Sequence, residues 1–358
     1  MSEPVLFSAY APGRVELLGN HTDYNEGVVL GAAIDRGLTV CGSKRADGMI
    51  LIESSTMGRL EINASALRPL AENRWANYVL GVADELSFPA EGFSIEITGD
   101  LPAGCGLSSS AALELATALF LLKLQQRTLA PMDIAKACQR AEHRFAGVQS
   151  GLLDQVTSLF GRADHAVYFD ARTEEVRTIP FPKGLALVIA ESGEKRELAK
   201  GDYNARREET RAAAAALQVR ALRDVTSSEL SKRTDLPDLL QRRARHIVEE
   251  NERVWRALDA LAAGDGAAFG ALMNASHESS RQNFENSTPL LDQLVSIAQQ
   301  LPGVLGSRLT GGGFGGATIT LCEQSAAEAV AAELSRRYSE ASKMTSRVMV
   351  SRIADGAR

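Results

Sequence analysis

The 358-residue chain lacks the features that mark several protein classes. Its four cysteines, Cys41, Cys105, Cys138 and Cys322, stand apart with no C-x-x-C pair. That excludes a zinc knuckle or dithiol redox motif and predicts reduced thiols. Five histidines are scattered without metal-ligand spacing. No run approaches the roughly 18 apolar residues of a membrane helix. The segment Met1-Ser-Glu-Pro-Val-Leu-Phe7 has no basic stretch leading into an apolar export run. A cytoplasmic protein without a membrane partner is expected. Lys and Arg are dispersed among Asp and Glu, with a net charge of -6, so there is no basic stripe for nucleic acid. Internal repeats and low-complexity linkers are missing. So are G-x-x-x-x-G-K-[ST] and the H-R-D and D-F-G elements of protein kinases, so any phosphoryl transfer must use another scaffold.

What is present is glycine, serine and small polar clusters. Leu101-Pro-Ala-Gly-Cys-Gly-Leu-Ser-Ser-Ser-Ala-Ala-Leu-Glu114 runs from a glycine-punctuated loop into an apolar, helix-like stretch. Gly104 and Gly106 let the main chain approach an anion closely. Ser108, Ser109 and Ser110 place hydroxyls where a first helical turn has unpaired N–H groups and a positive dipole end. A nucleotide is the first ligand this suggests, although the loop alone reads more simply as a serine-capped connector. A second cluster, Gly306-Ser-Arg-Leu-Thr-Gly-Gly-Gly-Phe-Gly-Gly316, is either a wide turn or a loop that supports or closes the phosphate site. The third, Pro12-Gly-Arg-Val-Glu-Leu-Leu-Gly-Asn-His-Thr-Asp-Tyr24, concentrates Arg14, Asn20, His21, Asp23 and Tyr24. Such groups suit a polyhydroxylated ligand, since an apolar one would leave each unsatisfied at about 1–3 kcal/mol. The alternative is an exposed Asn/Asp turn, with His21 in a structural hydrogen bond.

Apolar alternation predicts strands at Met49 to Ile52, Phe93 to Ile97, Leu185 to Ile189, Ala317 to Leu321 and Val348 to Val350. Helical spacing predicts a mostly buried helix over Leu107 to Leu124, an amphipathic one over Met132 to Ala146 and a charged one over Tyr203 to Leu217. A further long helix shares Ile247, Val254, Leu258 and Leu261 on one face and ends at Gly264-Asp265-Gly266. The class is therefore α+β. The length suggests about two domains, with a boundary in the Pro/Gly-marked stretch between Asp170 and Gly184.

Taken together and in this order, the three clusters resemble the signatures of the GHMP small-molecule kinases, within them the galactokinase branch. The resemblance extends to Trp75-Ala-Asn-Tyr78, Gly147-Val-Gln-Ser-Gly-Leu-Leu-Asp-Gln155, Tyr203-Asn-Ala-Arg-Arg207 and Arg242-Arg-Ala-Arg-His-Ile-Val-Glu-Glu-Asn-Glu-Arg253, and so covers nearly the whole chain. It implies a two-domain fold, with a ribosomal-protein-S5-like N-terminal domain (1–170) and a ferredoxin-like C-terminal domain (171–358) that carries the 306–316 loop. The implied activity is ATP- and Mg2+-dependent phosphorylation of the anomeric hydroxyl of a monosaccharide, galactose in the first instance.

The same resemblance implies Asp154 as catalytic base, either taking the hydroxyl's proton or mainly orienting it, and Arg14 as the cation beside it. Asn20, His21, Asp23, Gly151 and Tyr203 would contact the sugar. Gly104, Gly106, Leu107, Ser108, Ser109 and Ser110, with Trp75 and Tyr78 against adenine, would hold ATP, and Ser110 and Glu142 would bind Mg2+. Packing or solvated roles are the alternatives for Trp75, Tyr78 and Glu142.

Three departures stand out. Asn20 occupies the place before the histidine where the pattern has Glu or, less often, Asp. Glu16 replaces the usual Asn, and Ser287-Thr-Pro-Leu-Leu-Asp292 lacks a Glu. Loss of a charge-assisted acceptor at position 20, worth about 1.5–3 kcal/mol, leaves a 1-kinase for another sugar as an alternative. A catalytically silent sugar and nucleotide sensor is a second. The changes at Glu16 and in 287–292 are read as peripheral to catalysis.

Overall fold

The computed structural model describes residues 5–102, 104–194 and 199–358. The first four residues considered above for export, and Ala103 of the serine loop, lie outside them. The larger sheet is built on a long hairpin, β1 (Phe7–Leu18) paired antiparallel with β2 (Val28–Lys44). The remaining strands are β3 (Met49–Ser54), β4 (Gly58–Asn63), β5 (Gly92–Gly99), β6 (His165–Asp170) and β7 (Glu175–Pro180), in the order β4-β3-β5-β2-β6-β7 with β1 on β2. From Ala11 to Leu18 every residue of β1 is buried, so the strand has no solvent face. Its register shifts between Pro12 and Arg14 and again between Glu16 and Leu18. Proline cannot donate to a ladder and settles at such irregularities, and the resulting bulges re-aim the neighbouring side chains.

Helices α1 (Asn77–Glu85), α2 (Ser109–Gln125), α3 (Pro131–Ala141) and α4 (Leu153–Phe160) cover this sheet, with α2 and α4 lying against β1 and β2. The second sheet contains β8 (Leu185–Glu191), β9 (Val304–Thr310), β10 (Ala317–Glu323) and β11 (Val348–Ser351), antiparallel throughout in the order β11-β8-β10-β9. Around it lie α5 (Ala199–Ala216), α6 (Ser227–Ser231), α7 (Asp238–Ala263), α8 (Gly266–Ser279), α9 (Pro289–Ala298) and α10 (Ala327–Ser342). Leu294, Ala298, Val330, Leu334 and Tyr338 of α9 and α10 form a separate core on this sheet. The main core continues from the larger sheet through Leu187, Ile189, Ile319 and Leu321 into α7 and α8. The C-terminal tail returns to the first sheet, where Tyr10 and Arg358 exchange two backbone hydrogen bonds of 2.9 Å.

The anticipated strands correspond to β3, β5, β8, β10 and β11, and the anticipated helices to α2, α3, α5 and α7. The 170–184 stretch carries β7, which pairs with β6 of the larger sheet. α3 stops at Ala141 and continues as a π turn, Glu142–Ala146, and α8 likewise gives way to a π turn at Ser280–Phe284. Such turns rotate side chains out of the helical register and often occur at functional sites. Here Glu142, Ser280 and Phe284 are the residues they redirect.

Candidate active site

The two bulges of β1 turn Arg14 toward the N-terminus of α4, where Asp154 sits in the first turn. The Arg14 Nε and Nη2 both donate to Asp154 Oδ1, at 2.8 and 2.6 Å, while Nη1 donates to the Gly106 carbonyl at 2.6 Å. Asp154 Oδ2 accepts from the Ser108 hydroxyl at 2.5 Å. Ser108 precedes α2 in a left-handed conformation (φ 58°) and makes no side-chain cap to the helix, so its hydroxyl serves the carboxylate instead. This strained backbone position ties the serine loop to the Arg14–Asp154 pair.

On one side of the pair lies a cavity of about 240 Å3, lined among others by Glu16, Asn20, His21, Asp23, Gly151 and Tyr203. Asp23 accepts from the backbone N–H groups of Tyr24 at 2.9 Å and Leu153 at 3.2 Å. A Cβ on Gly151 would lie 1.8 Å from Asp23 Oδ2, so only glycine permits the 147–155 segment to close on that carboxylate. His21 hydrogen-bonds Tyr24 Oη at 2.7 Å and the Gly312 carbonyl at 3.0 Å, and its ring packs on Tyr203 and Phe284 with centroids 5.0 and 4.6 Å away. The 306–316 loop thus closes this chamber. A Cβ on Gly313, which has φ 76°, would stand 2.2 Å from the Asn286 carbonyl, and one on Gly311 would meet the Gly106 carbonyl at 3.1 Å. The two glycine clusters are therefore neighbours in space.

Asn20 is fully buried, and its carboxamide is satisfied within the protein. Nδ2 donates to Glu16 Oε1 and to the Gly311 carbonyl, both at 2.8 Å, and Oδ1 accepts from Asn286 Nδ2 at 2.8 Å and from Ser280 Oγ at 3.4 Å. Its backbone N–H donates to Glu250 Oε2 at 2.9 Å, while its carbonyl meets His246 Nε2 at 3.2 Å.

On the other side of the pair is a larger cavity of about 540 Å3, lined among others by Gly104, Gly106, Ser108, Ser109, Ser110, Trp75 and Tyr78, and also by Ser54 to Met57 and Arg347. Leu107 does not line it. That side chain is in the core, and its carbonyl accepts from Arg14 N at 3.1 Å. Arg14, Tyr78, Ser110 and Asp154 border both cavities, so the pair forms the seam between a small polar chamber and a larger one at a helix N-terminus.

The chain matches the GHMP kinases N terminal domain over residues 77–162, the GHMP kinases C terminal model over 257–340 and the galactokinase galactose-binding signature over 2–44. It is 42% identical to the galactokinase of Roseiflexus sp. (strain RS-1), covering 97% of this chain and 91% of that protein. The Homo sapiens galactokinase is also 42% identical, with 100% and 93% covered. The chain belongs to the galactokinase family. The crystal structure of Lactococcus lactis galactokinase complexed with galactose superposes with a TM-score of 0.94 at 33% identity, covering 99% of this chain and 95% of that one. A mevalonate kinase at 21% identity and a TM-score of 0.69 shares the fold. The α+β architecture with two sheets is that of the GHMP kinases.

Within this galactokinase-family site the electrostatics are those of buried acids. Burial, reinforced by nearby Asp154, raises the Asp23 pKa. Burial also pushes Glu142 up to about 7, against the opposing hydrogen bond from Ser150. Burial and the neighbouring Glu142 carry Glu114 well above its ordinary value. For Glu250 burial works the other way from its partners, and Arg253 prevails, holding the carboxylate at about 2. Glu250 anchors the Gly19 and Asn20 backbone N–H groups and accepts from Ser276 Oγ at 3.0 Å.

Glu250, Asn286, Arg308 and Ser150 all shape the site and were not singled out from the sequence. Glu250 lies inside the quoted 242–253 stretch, and Arg308 inside the glycine cluster, but neither has a local pattern that links it to residues 16–20. Among the described residues no group of three or more His, Cys, Asp and Glu is arranged to hold a metal, and no helix is long and apolar enough to cross a membrane.

Proposed function

We propose that this chain transfers the γ-phosphoryl group of ATP to the anomeric hydroxyl of galactose, giving ADP and galactose 1-phosphate. The observation that carries it is the seam: Arg14 and Asp154 border both the small polar chamber and the cavity of the serine loop. Galactose occupies the smaller chamber against Asp23, His21, Gly151 and Tyr203. ATP occupies the larger, with its phosphates on the N-terminal end of α2, where unpaired backbone N–H groups and the helix dipole favour anions, and its base against Trp75 and Tyr78.

Asp154 orients the anomeric hydroxyl and accepts its proton as the new O–P bond forms and the β–γ bridging bond breaks. Arg14 holds the carboxylate in place and offsets charge on the transferring group. Ser110 and Glu142 fit a Mg2+ site. They supply the hydroxyl and carboxylate oxygens that a hard cation prefers, and Glu142 is a buried acid lining the smaller chamber beside the seam. Mg2+ bound there with ATP would neutralise phosphate charge.

We place the division between the two domains in the 181–184 connection, after β7 of the larger sheet and before β8 of the smaller. Cys41, Cys138 and Cys322 are thiols rather than disulfides, which supports a reducing, cytoplasmic setting. A kinase for another sugar and a silent sensor are not favoured, because the relatives over nearly the full chain are galactokinases and the Arg14–Asp154–Ser108 constellation is intact.

Purified protein with ATP, Mg2+ and galactose should release ADP and galactose 1-phosphate. Absence of turnover across a panel of hexoses and pentoses would overturn the reading. Asp154→Ala should lower kcat by about 10^2–10^4-fold while galactose and ADP still bind.

A further inference from the structure

Position 20 is where a carboxylate is missing, yet the wall of the sugar chamber is not without one. Four residues earlier on the same hairpin, Glu16 lines that chamber and is only 2% exposed. One of its oxygens is fully engaged: Oε1 accepts from Asn20 Nδ2 at 2.8 Å and from the buried Arg308 Nη2 at 2.9 Å. Among the described residues Oε2 makes no hydrogen bond, and it is not one of the sealed, unpartnered polar atoms of the interior. A buried carboxylate oxygen is a strong acceptor and is poorly tolerated without a donor. Asn20 has the opposite character, since both its amide hydrogens and its carbonyl oxygen are already bonded within the protein. The acidic and amide members of this hydrogen-bonded pair have thus changed places relative to the family pattern, and the amide has become the brace.

We propose that Glu16 Oε2 accepts a hydrogen bond from a hydroxyl of the bound sugar, making Glu16 a binding and specificity-determining residue, with Asn20 and Arg308 as the positioning residues that aim it. This rests on the reading of the small chamber as the galactose site. It also revises the view of Glu16 as peripheral. Arg308 at 0% exposure supplies a countercharge that opposes the burial raising the Glu16 pKa, and its Nη1 also donates to the Glu16 and Leu17 carbonyls at 3.1 Å, which fixes the strand beneath. Asn20 donates simultaneously to Glu16 and to the Gly311 carbonyl. The acid is therefore clamped between β1 and the glycine loop, with one oxygen left for ligand.

The test is equilibrium binding and turnover of galactose and of its singly deoxygenated analogues by the native chain, by Glu16→Gln and by the exchange variant E16N/N20E. Glu16→Gln should weaken galactose binding roughly tenfold or more, leave ADP affinity within about twofold, and erase the native penalty for one particular deoxygalactose. If Glu16→Gln does not fold beside the buried Arg308, E16N/N20E retains one carboxylate in the pair and is read in its place. An altered deoxygalactose profile with native ADP affinity supports the assignment, and a native profile overturns it. A native chain that binds and phosphorylates galactose while Glu16→Gln behaves identically sinks this assignment alone. A native chain that binds no galactose sinks the functional reading and the assignment together.

Discussion

The two chambers that meet at Arg14 and Asp154 are built by different means. The smaller, of about 240 Å3, is walled by residues drawn from distant segments: β1, the turn after it, the π turn after α3, the 148–154 stretch that leads into α4, α5 and the 306–316 loop. Most of their polar atoms are already paired with one another. The larger, of about 540 Å3, is formed chiefly from one continuous loop and the helix it enters, with the strand ends and Trp75 beside it. A neutral sugar differs from its epimers only in the direction of its hydroxyls, so its site must hold donors and acceptors rigidly. Phosphate presents charge in every direction, and a helix N-terminus with mobile-free backbone donors is sufficient for it. Rigidity is concentrated where discrimination is needed.

The contrast can be broken most severely at Gly151. Gly151→Ala forces a methyl into Asp23 Oδ2, and galactose affinity should fall roughly tenfold or more while ADP affinity is unchanged. Equal losses for both ligands, measured by titration calorimetry, would mean that the chambers are not independent. A smaller effect is expected on the donor side. Trp75→Ala should raise the ATP KM by roughly three- to tenfold, the scale of one aromatic contact, with the galactose KM unmoved; steady-state kinetics with each substrate varied in turn would show a shared role if both constants rose.

A stability readout tests the buried acid beside the seam. Burial raises Glu142 from 4.5 to about 7. A raised folded pKa contributes stability that is fully present below pH 4.5 and is lost as pH rises through about 7. Thermal unfolding without metal or nucleotide should therefore show Glu142→Gln gaining on the native chain across that interval, and a constant difference between the two would contradict a buried, elevated carboxyl.

Much of the donor side could be read along the chain because its parts are contiguous. Gly104 to Ser110 announce a loop and helix start by composition, and α2 follows within one residue. The hairpin that carries the acceptor side has no strand signal in the sequence, for a physical reason. β1 is buried on both faces from Ala11 to Leu18, so it has none of the alternation that marks a half-exposed strand, and Pro12 and Gly13 resemble a turn when they in fact sit at a bulge. Arg14, Asp23, His21 and Asp154 were identified from motif and resemblance, and the structure brings them to one chamber. Glu250 and Arg308 were not, since their partners lie more than two hundred residues away in sequence. Glu142 and Ser110 could be named, but not the π turn that redirects the former.

By itself the sequence determined the chemistry available to this protein: a serine loop able to receive phosphate, an Arg and an Asp for transfer, and a cluster of short polar groups for hydroxyls. These depend on residue types at short spacing, which local backbone geometry converts directly into structure. Only the tertiary structure decided which polar groups remain open to a ligand. Asn20 and Glu16 look interchangeable in a string of letters, but a hydrogen bond satisfied by Asn286 or Gly311 is no longer on offer, and whether it is satisfied depends on chain segments that meet solely through folding.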